Sequence, residues 1–214
     1  MAKVMGVTRR TVVRKFLFMA WQARLEHNRV VNSGELKTSL VQFDEMETFE
    51  HTRLKPLSIA LAVRGKNGQI IDAQVAEMNC KGHLASISQY KYGFRKDNRD
   101  IAREDVLTTV NRCARKNILV VTDKKTDYPA AVAKWVPNAE ILQVKRVERL
   151  STKVTVDRKN ENDAMFTLNY TASKIRHDMS RMMRKVWVTT KKADRLQAHL
   201  DLYIAYNNGY KIAA

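Results

Sequence analysis

The chain has little of what marks a secreted, membrane-spanning or disordered protein. Its only cysteines are Cys80 and Cys113, too few for a zinc site or a disulfide framework. Three prolines and seven glycines leave no low-complexity tract. The longest uninterrupted apolar run, Phe16 to Trp21, is far shorter than the roughly 20 residues that cross a bilayer. We therefore expect no membrane partner and a reducing, cytoplasmic location.

Acidic residues are also scarce. Asp and Glu total 22 against 39 Lys and Arg, which gives a formal net charge of +17 and a sequence pI near 10.0. A protein this basic suits a polyanionic partner, and its binding would weaken with salt because bound counterions are released. Charge alone does not choose between DNA, RNA and an anionic membrane.

The apolar pattern predicts a mixed α/β fold, with one sheet covered by helices. Short apolar runs separated by turn residues predict strands at 39–43, 57–63, 69–75, 118–122 and 139–144. Helical spacing predicts helices at 99–116, 128–135, 165–186 and 194–206. The glycines of 64–68 suit a hairpin turn between the second and third strands.

Three stretches are less regular. Residues 3–25 predict a turn and a helix that begins near Thr8, while 27–37 have no periodicity and are interpreted as a linker. Residues 145–163 are charged and poorly patterned, as in a loop. Residues 90–96 mix aromatic and cationic side chains; they could stack on unpaired DNA ends, although we favour a mobile surface loop.

Two aspartates, each at the end of an apolar run, carry the chemistry. Asp44 follows Leu40-Val41-Gln42-Phe43, and Asp123 follows Ile118-Leu119-Val120-Val121-Thr122. A carboxylate near a core costs free energy unless it is paired. If the two strand ends are neighbours, the aspartates form a site for Mg²⁺, to which Glu45 or Glu47 could add a ligand. The alternative is that both aspartates lie in solvated turns.

A basic block lies near the carboxyl end. Between Lys174 and Arg195 there are eight Lys or Arg residues and two Asp residues. By periodicity this block is a helix with a solvated basic face. Beside a metal site, the same face would track phosphate groups.

A series of short segments resembles the DDE-type transposases of bacterial insertion sequences, a group with a ribonuclease H-like catalytic domain. The segments are Phe43-Asp44-Glu45, Val121-Thr122-Asp123, Tyr128-Pro129, Leu168-Asn169, Ile175-Arg176, Ser180-Arg181-Met182-Met183-Arg184-Lys185, Thr189-Thr190-Lys191-Lys192 and Tyr203-Ile204-Ala205-Tyr206-Asn207-Asn208. The resemblance covers about residues 39–209. It is specific as a series and weak in any single segment.

The resemblance implies a ribonuclease H-like mixed sheet flanked by helices over 37–209, with Asp44 on the first strand and Asp123 on the fourth. It implies metal-dependent DNA cleavage and strand transfer with Mg²⁺ or Mn²⁺, by an enzyme that works as a homo-oligomer on double-stranded DNA. Residues 1–30 resemble part of a helix-turn-helix. The DNA-binding residues so implied are Arg9, Arg10, Arg14, Arg176, Arg181, Arg184 and Lys185.

One position departs from the family. Where the family has its third acid, seven residues before Arg176, this chain has Asn169. Asn169 could serve as a neutral ligand for the metal, Glu161 or Asp163 could replace it from the preceding loop, or catalysis could be lost. The alternative function is therefore a catalytically decayed DNA-binding protein, or a repressor derived from a transposase.

Overall fold

The computed structural model describes residues 3–145, 163–182 and 192–212. Five strands and six α-helices are present in these ranges. In chain order they are α1 (Arg9–Ser33), β1 (Thr38–Phe49), β2 (Pro56–Arg64), β3 (Ile70–Glu77), α2 (Leu84–Tyr92), α3 (Arg99–Cys113), β4 (Ala114–Asp123), α4 (Tyr128–Trp135), β5 (Ala139–Val144), α5 (Phe166–Asp178), a 3₁₀ turn (Ser180–Met182) and α6 (Ala193–Asn208).

The strands form one mixed sheet in the order β3-β2-β1-β4-β5. β2 is antiparallel to both β1 and β3, whereas β4 is parallel to both β1 and β5. The carboxyl ends of β1, β3, β4 and β5 therefore meet at one edge of the sheet. The prediction of an α/β fold with helices flanking a mixed sheet is confirmed.

Helices cover both faces because strand residues alternate between two apolar cores. Phe43 of β1 lies in the core that also contains residues of α1, α3 and α4. Met46 lies in the opposite core, with residues of α5 and α6. Because side chains alternate along a strand, Asp44, two residues before Met46, lies on the same face of β1 as Met46, which is the face that α5 covers.

The predicted linker at 27–37 is wrong, because α1 continues to Ser33 and β1 begins at Thr38. His27, Val30 and Val31 are buried, so packing extends the helix through a stretch whose sequence has no periodicity. The Thr8 hydroxyl accepts a hydrogen bond from the Thr11 amide at 3.1 Å, which confirms the predicted start. The helix-turn-helix interpretation of residues 1–30 stays a prediction.

Other boundaries differ as well. The predicted helix 99–116 ends at Cys113, and residues 114–116 belong to β4. The first strand does not end at Asp44 but continues to Phe49, because residues 41–49 pair with β2. The predicted loop over 90–96 is wrong in part, since α2 reaches Tyr92. The predicted helix 165–186 ends at Asp178 and is followed by the 3₁₀ turn, while 183–191 lie outside the described residues. The predicted loop 145–163 lies almost wholly outside them too.

None of the helices in the described ranges is both long enough and apolar enough to cross a membrane.

Candidate active site

Parallel pairing of β1 with β4 brings the two aspartates together. Phe43 pairs with Thr122, so Asp44 and Asp123 are the next residues on adjacent strands, which lie about 4.8 Å apart in a sheet. Both line a cleft of about 430 Å³ that also contains Asn169 and Arg176 of α5. Asp44 thus lies within a strand and Asp123 ends one, and the two still share a site.

Asp44 is held in an environment that disfavours its charge. Burial, and next the negative charge of Asp123, raise the pKa of Asp44 above its ordinary value. Two hydrogen bonds oppose this effect: the Glu45 amide donates to Asp44 Oδ1 at 2.7 Å, and the Tyr128 hydroxyl donates to the same oxygen at 3.0 Å. These two donors favour the ionised form of Asp44, and burial and the charge of Asp123 disfavour it.

Asp123 is fixed by the turn that follows β4. Its Oδ1 accepts a hydrogen bond from the Lys125 amide at 3.1 Å. The side-chain amide of Gln143, on β5, donates to the carbonyl oxygens of Asp123 and Lys125 at 3.1 and 3.0 Å. The neighbouring strand thereby holds the backbone that carries the second carboxylate.

Gln42 positions α5 over the aspartates. Its Oε1 accepts a hydrogen bond from the Leu168 amide at 2.6 Å, and its Nε2 donates to the Ala164 carbonyl at 2.7 Å. The Leu168 amide is one of the first-turn donors of α5 that have no partner within the helix. Gln42 therefore caps α5 from β1 and sets the place of the next residue, Asn169.

At the place where the family resemblance implies a third acidic residue, this chain has Asn169. Asn169 is exposed, and its Nδ2 lies 3.5 Å from Asp163 Oδ2. Asp163 Oδ1 accepts a hydrogen bond from the Met165 amide at 2.9 Å, so this carboxylate caps the start of α5 and is not among the residues that line the cleft. Glu161 lies outside the described residues.

Glu45 and Glu47, which the sequence suggested as further ligands, also line the cleft, and each is paired with a cation. The Glu45 carboxylate forms an ion pair with Lys125 and lies 3.3 Å from Arg103 Nε on α3. These cations neutralise Glu45, whose side chain is only 6% exposed. Glu47, the other suggested ligand, pairs with Lys81 at 3.0 Å.

Two residues of the site were missed at the sequence level. Tyr128 was part of a family segment, but nothing in the sequence indicates that its hydroxyl reaches a residue 84 positions away. Gln42 gave one weak signal, since it lies two residues before Asp44 and must share its face in a strand.

The donor set is compatible with Mg²⁺ or Mn²⁺. Asp44 and Asp123 supply hard carboxylate oxygens and Asn169 an amide oxygen, the ligands that Mg²⁺ prefers in proteins. In the described part of the chain, no group of three or more His, Cys, Asp or Glu side chains is placed to hold a metal ion. The cleft therefore offers Asp44, Asp123 and Asn169 as donors, while Glu45 and Glu47 on its wall are paired with Lys125 and Lys81.

The predicted DNA-binding residues lie in three places. Arg9, Arg10 and Arg14 are exposed on the first two turns of α1. Arg176 lines the cleft, and Arg181 is half-buried in the 3₁₀ turn. Arg184 and Lys185 lie outside the described residues.

Comparisons with protein-family models, with curated proteins and with solved structures found no match to this chain.

Proposed function

We propose that this protein is a DDE-type DNA transposase that cleaves DNA at insertion-sequence ends and transfers the strand, with Mg²⁺ or Mn²⁺ as cofactor. It would act on double-stranded DNA of the bacterial nucleoid, in the cytoplasm, as a homo-oligomer. The strand order, with β2 alone reversed, is compatible with the ribonuclease H-like fold that the sequence resemblance implies.

The pairing of Asp44 with Asp123 carries the proposal. Two carboxylates on neighbouring parallel strands repel each other, and burial, with the charge of Asp123 next, raises the pKa of Asp44. A fold has no structural need for such a pair. In a protein with a net charge of +17, a bound cation that contacts a phosphodiester explains both the pair and the basic surface.

Each residue of the cleft would have a defined task. Asp44 and Asp123 would hold the ion, with Asn169 as a neutral ligand. A bound Mg²⁺ or Mn²⁺ would supply positive charge beside the phosphate and a more reactive attacking oxygen. Arg176 would bind the phosphate backbone. Tyr128 would favour the ionised form of Asp44 through its hydrogen bond, and burial, with the charge of Asp44 next, raises the pKa of the Tyr128 hydroxyl.

Asn169 favours a second candidate function, a catalytically decayed DNA-binding protein. An amide brings no charge to hold a second ion, and two-metal phosphoryl transfer uses carboxylates that bridge the ions. A decayed protein would bind DNA through its basic residues and leave it intact.

The test is a nicking assay on supercoiled plasmid, with Mn²⁺ or with EDTA. We expect the wild type to nick in Mn²⁺ alone and Asp123→Asn to lose at least about a hundredfold in rate, the scale of losing one group that stabilises the transition state. Asp127→Asn is the matched control, because that carboxylate lies on the same turn and is 58% exposed. Calorimetric titration with Mn²⁺ gives a second readout.

Nicking by the wild type and by Asp127→Asn, together with loss in Asp123→Asn, would support the enzyme. DNA binding in EDTA without nicking in Mn²⁺ would favour the decayed protein. Nicking that survives in Asp123→Asn would reject this active site.

A further inference from the structure

Residues 78–96, which we call the aromatic–basic segment, connect β3 to α3 and contain α2. The Met78 amide donates to the Pro56 carbonyl at 3.4 Å, and just beyond the segment the Asn98 amide donates to the Glu77 carbonyl at 3.0 Å. The segment therefore leaves the sheet and returns to it at nearly the same point, as a closed excursion.

Buried polar contacts anchor the excursion. Ser88 Oγ, buried on α2, donates to the Leu54 carbonyl at 2.6 Å. Arg95, whose side chain is 7% exposed, pairs with Glu50 at 3.0 Å and donates to the Pro56 carbonyl at 3.3 Å. Lys55 also pairs with Glu50, at 2.8 Å. The segment is therefore an anchored platform that contains a helix, where its composition suggested a loop.

On this platform two large aromatic side chains remain in solvent. Tyr90 is 95% exposed and Phe94 is 81% exposed. Among the described residues neither ring stacks on another aromatic side chain, whereas Tyr92 between them lies under the ammonium groups of Lys55 and Lys91 at 5.5 and 5.7 Å. Gly93 ends the helix with φ of +74°, a conformation that favours glycine, and so turns the chain before Phe94.

The charges within the segment are all positive, although Lys81 pairs with Glu47 and Arg95 pairs with Glu50 outside it. Residues 78–96 contain Lys81, Lys91, Arg95 and Lys96 and no Asp or Glu. Lys81, Lys91 and Lys96 are exposed. Exposed aromatic rings among lysines are what a flexible polyanion with flat bases requires, because cations contact the phosphates while the rings stack on bases.

The segment lies next to the candidate active site. It follows β3, whose carboxyl end is at the same edge of the sheet as Asp123. Lys81, near its start, lines the cleft together with Asp44 and Asp123. The start of the segment therefore borders the cleft that holds the two aspartates.

We infer that the aromatic–basic segment binds unpaired single-stranded DNA, with bases stacked on Tyr90 and Phe94, and leads that strand to the Asp44–Asp123 cleft. The inference rests on the proposed function in naming DNA as the polyanion. It adds a ligand, a single strand, and a site outside the cleft.

The experiment is a fluorescence-anisotropy titration in EDTA with a labelled oligodeoxythymidylate and a duplex of equal length. Stacking of one base is worth about 1–3 kcal/mol, so Tyr90→Ala and Phe94→Ala should each weaken single-strand binding about fivefold to a hundredfold. Duplex binding should change less than twofold. Tyr90→Trp should restore single-strand affinity, because the rescue requires an aromatic face and not the tyrosine hydroxyl.

Tyr206→Ala is the matched control, since Tyr206 is an exposed tyrosine of α6 outside the segment. It should bind as the wild type does. Circular dichroism and thermal unfolding show that each variant is folded; Tyr90 and Phe94 bury little surface, so their truncation should leave the melting temperature within about 2 °C.

Equal single-strand affinity in the wild type and in Tyr90→Ala/Phe94→Ala would overturn the inference, as would an equal loss for duplex. Loss of self-association in the double variant, with DNA binding unchanged, would assign the surface to a second copy of this chain and also overturn it.

The binding assay in EDTA separates this inference from the proposed function. A selective loss of single-strand binding in a protein that never nicks in Mn²⁺ would support the inference and reject the enzyme. If the wild type nicks in Mn²⁺ but Tyr90→Ala and Phe94→Ala bind single strands as tightly as the wild type does, the enzyme would be supported and the inference rejected.

Discussion

At the scale of single residues, Asp44 shows a conflict between stability and function. Its carboxylate is half-buried on β1, beside a second carboxylate, and is supported by the Tyr128 hydroxyl and the Glu45 amide. The raised pKa shows that these two donors do not fully offset burial and the charge of Asp123. Ionised Asp44 therefore destabilises the folded protein in the absence of a cation.

Replacing that charge should stabilise the fold and abolish the proposed activity. A carboxyl whose pKa is raised on folding contributes stability below its unfolded pKa, here near 3.8, and loses it as the pH rises through the folded value. At pH 7, Asp44→Asn should therefore raise the free energy of unfolding, by about 0.5–2 kcal/mol. Urea unfolding at pH 7 and at pH 3 measures the gain, which should be smaller at pH 3.

Asp127→Asn, at an exposed carboxylate, should change stability by less than about 0.5 kcal/mol. In excess Mn²⁺ the difference in the free energy of unfolding between Asp44→Asn and the wild type should shrink or change sign, because only the wild type gains the binding energy of the ion. A lower stability of Asp44→Asn at pH 7 without metal would contradict this account of the site.

At the scale of elements, β1 organises the site. Its even-numbered residues Gln42 and Asp44 face α5, while Phe43 and Glu45 face the core and cations of the other helical layer. One strand thus supplies a carboxylate and also the side chain that fixes the helix above it. The position of Asn169 is determined by this pairing of strand and helix.

Removing the Gln42 side chain should loosen α5 before it affects the rest of the molecule. Gln42→Ala leaves the Leu168 amide, buried at the start of the helix, without its acceptor, at a cost of about 1–3 kcal/mol. Hydrogen exchange should show faster exchange at 165–169 and little change in β4. Gln69→Ala, in the β2–β3 turn, is the control, and equal protection of 165–169 in both variants would show that Gln42 does not hold the helix.

Comparison of the predicted and observed elements shows which of them could be predicted from the sequence. Apolar runs at 57–63 and 118–122 predict their strands because each is buried and bounded by turn residues. Residues 27–33 and 44–49 are polar by composition, and tertiary packing makes the first a helix and the second a strand. Asp44 and Asp123 could be singled out from the sequence. The register of β1 on β4, which brings them together, could not, because the paired residues of these parallel strands are more than 70 positions apart in the chain.

At the scale of the whole molecule, a buried ionic network joins elements from both ends of the chain. Arg24 of α1 contacts Asp72 of β3 at 2.8 Å and donates from Nε to Asp201 of α6 at 3.1 Å. Thr109 of α3 donates to the other Asp72 oxygen at 3.1 Å. Burial raises the pKa of Asp72, but the charges of Arg24 and His27 together with hydrogen bonds from Arg24 and Gln74 outweigh burial, so the net pKa is below the ordinary value.

This network makes α1 part of the folded body, and its loss should be costly. Arg24→Met leaves the Asp72 carboxylate, 2% exposed, without its cation, and the removal of one partner of a buried pair costs about 3–5 kcal/mol. Arg29→Met is the matched control, because Arg29 is 59% exposed and its pair with Glu26 should contribute less than about 1 kcal/mol. Urea unfolding at pH 7 measures both.

The pH dependence identifies the carboxylates as the cause of that loss. A carboxyl whose pKa is lowered on folding contributes stability above its unfolded value, near 3.8, and loses it as the pH falls through the folded value. The wild type should therefore lose stability below pH 3.8, whereas Arg24→Met, in which the ion pair with Asp72 is already absent, should lose less. The difference in the free energy of unfolding between the wild type and Arg24→Met should become smaller as the pH falls from 7 to 3. A constant gap would mean that Arg24 stabilises the molecule by packing alone, and that the link from α1 to the sheet does not depend on charge.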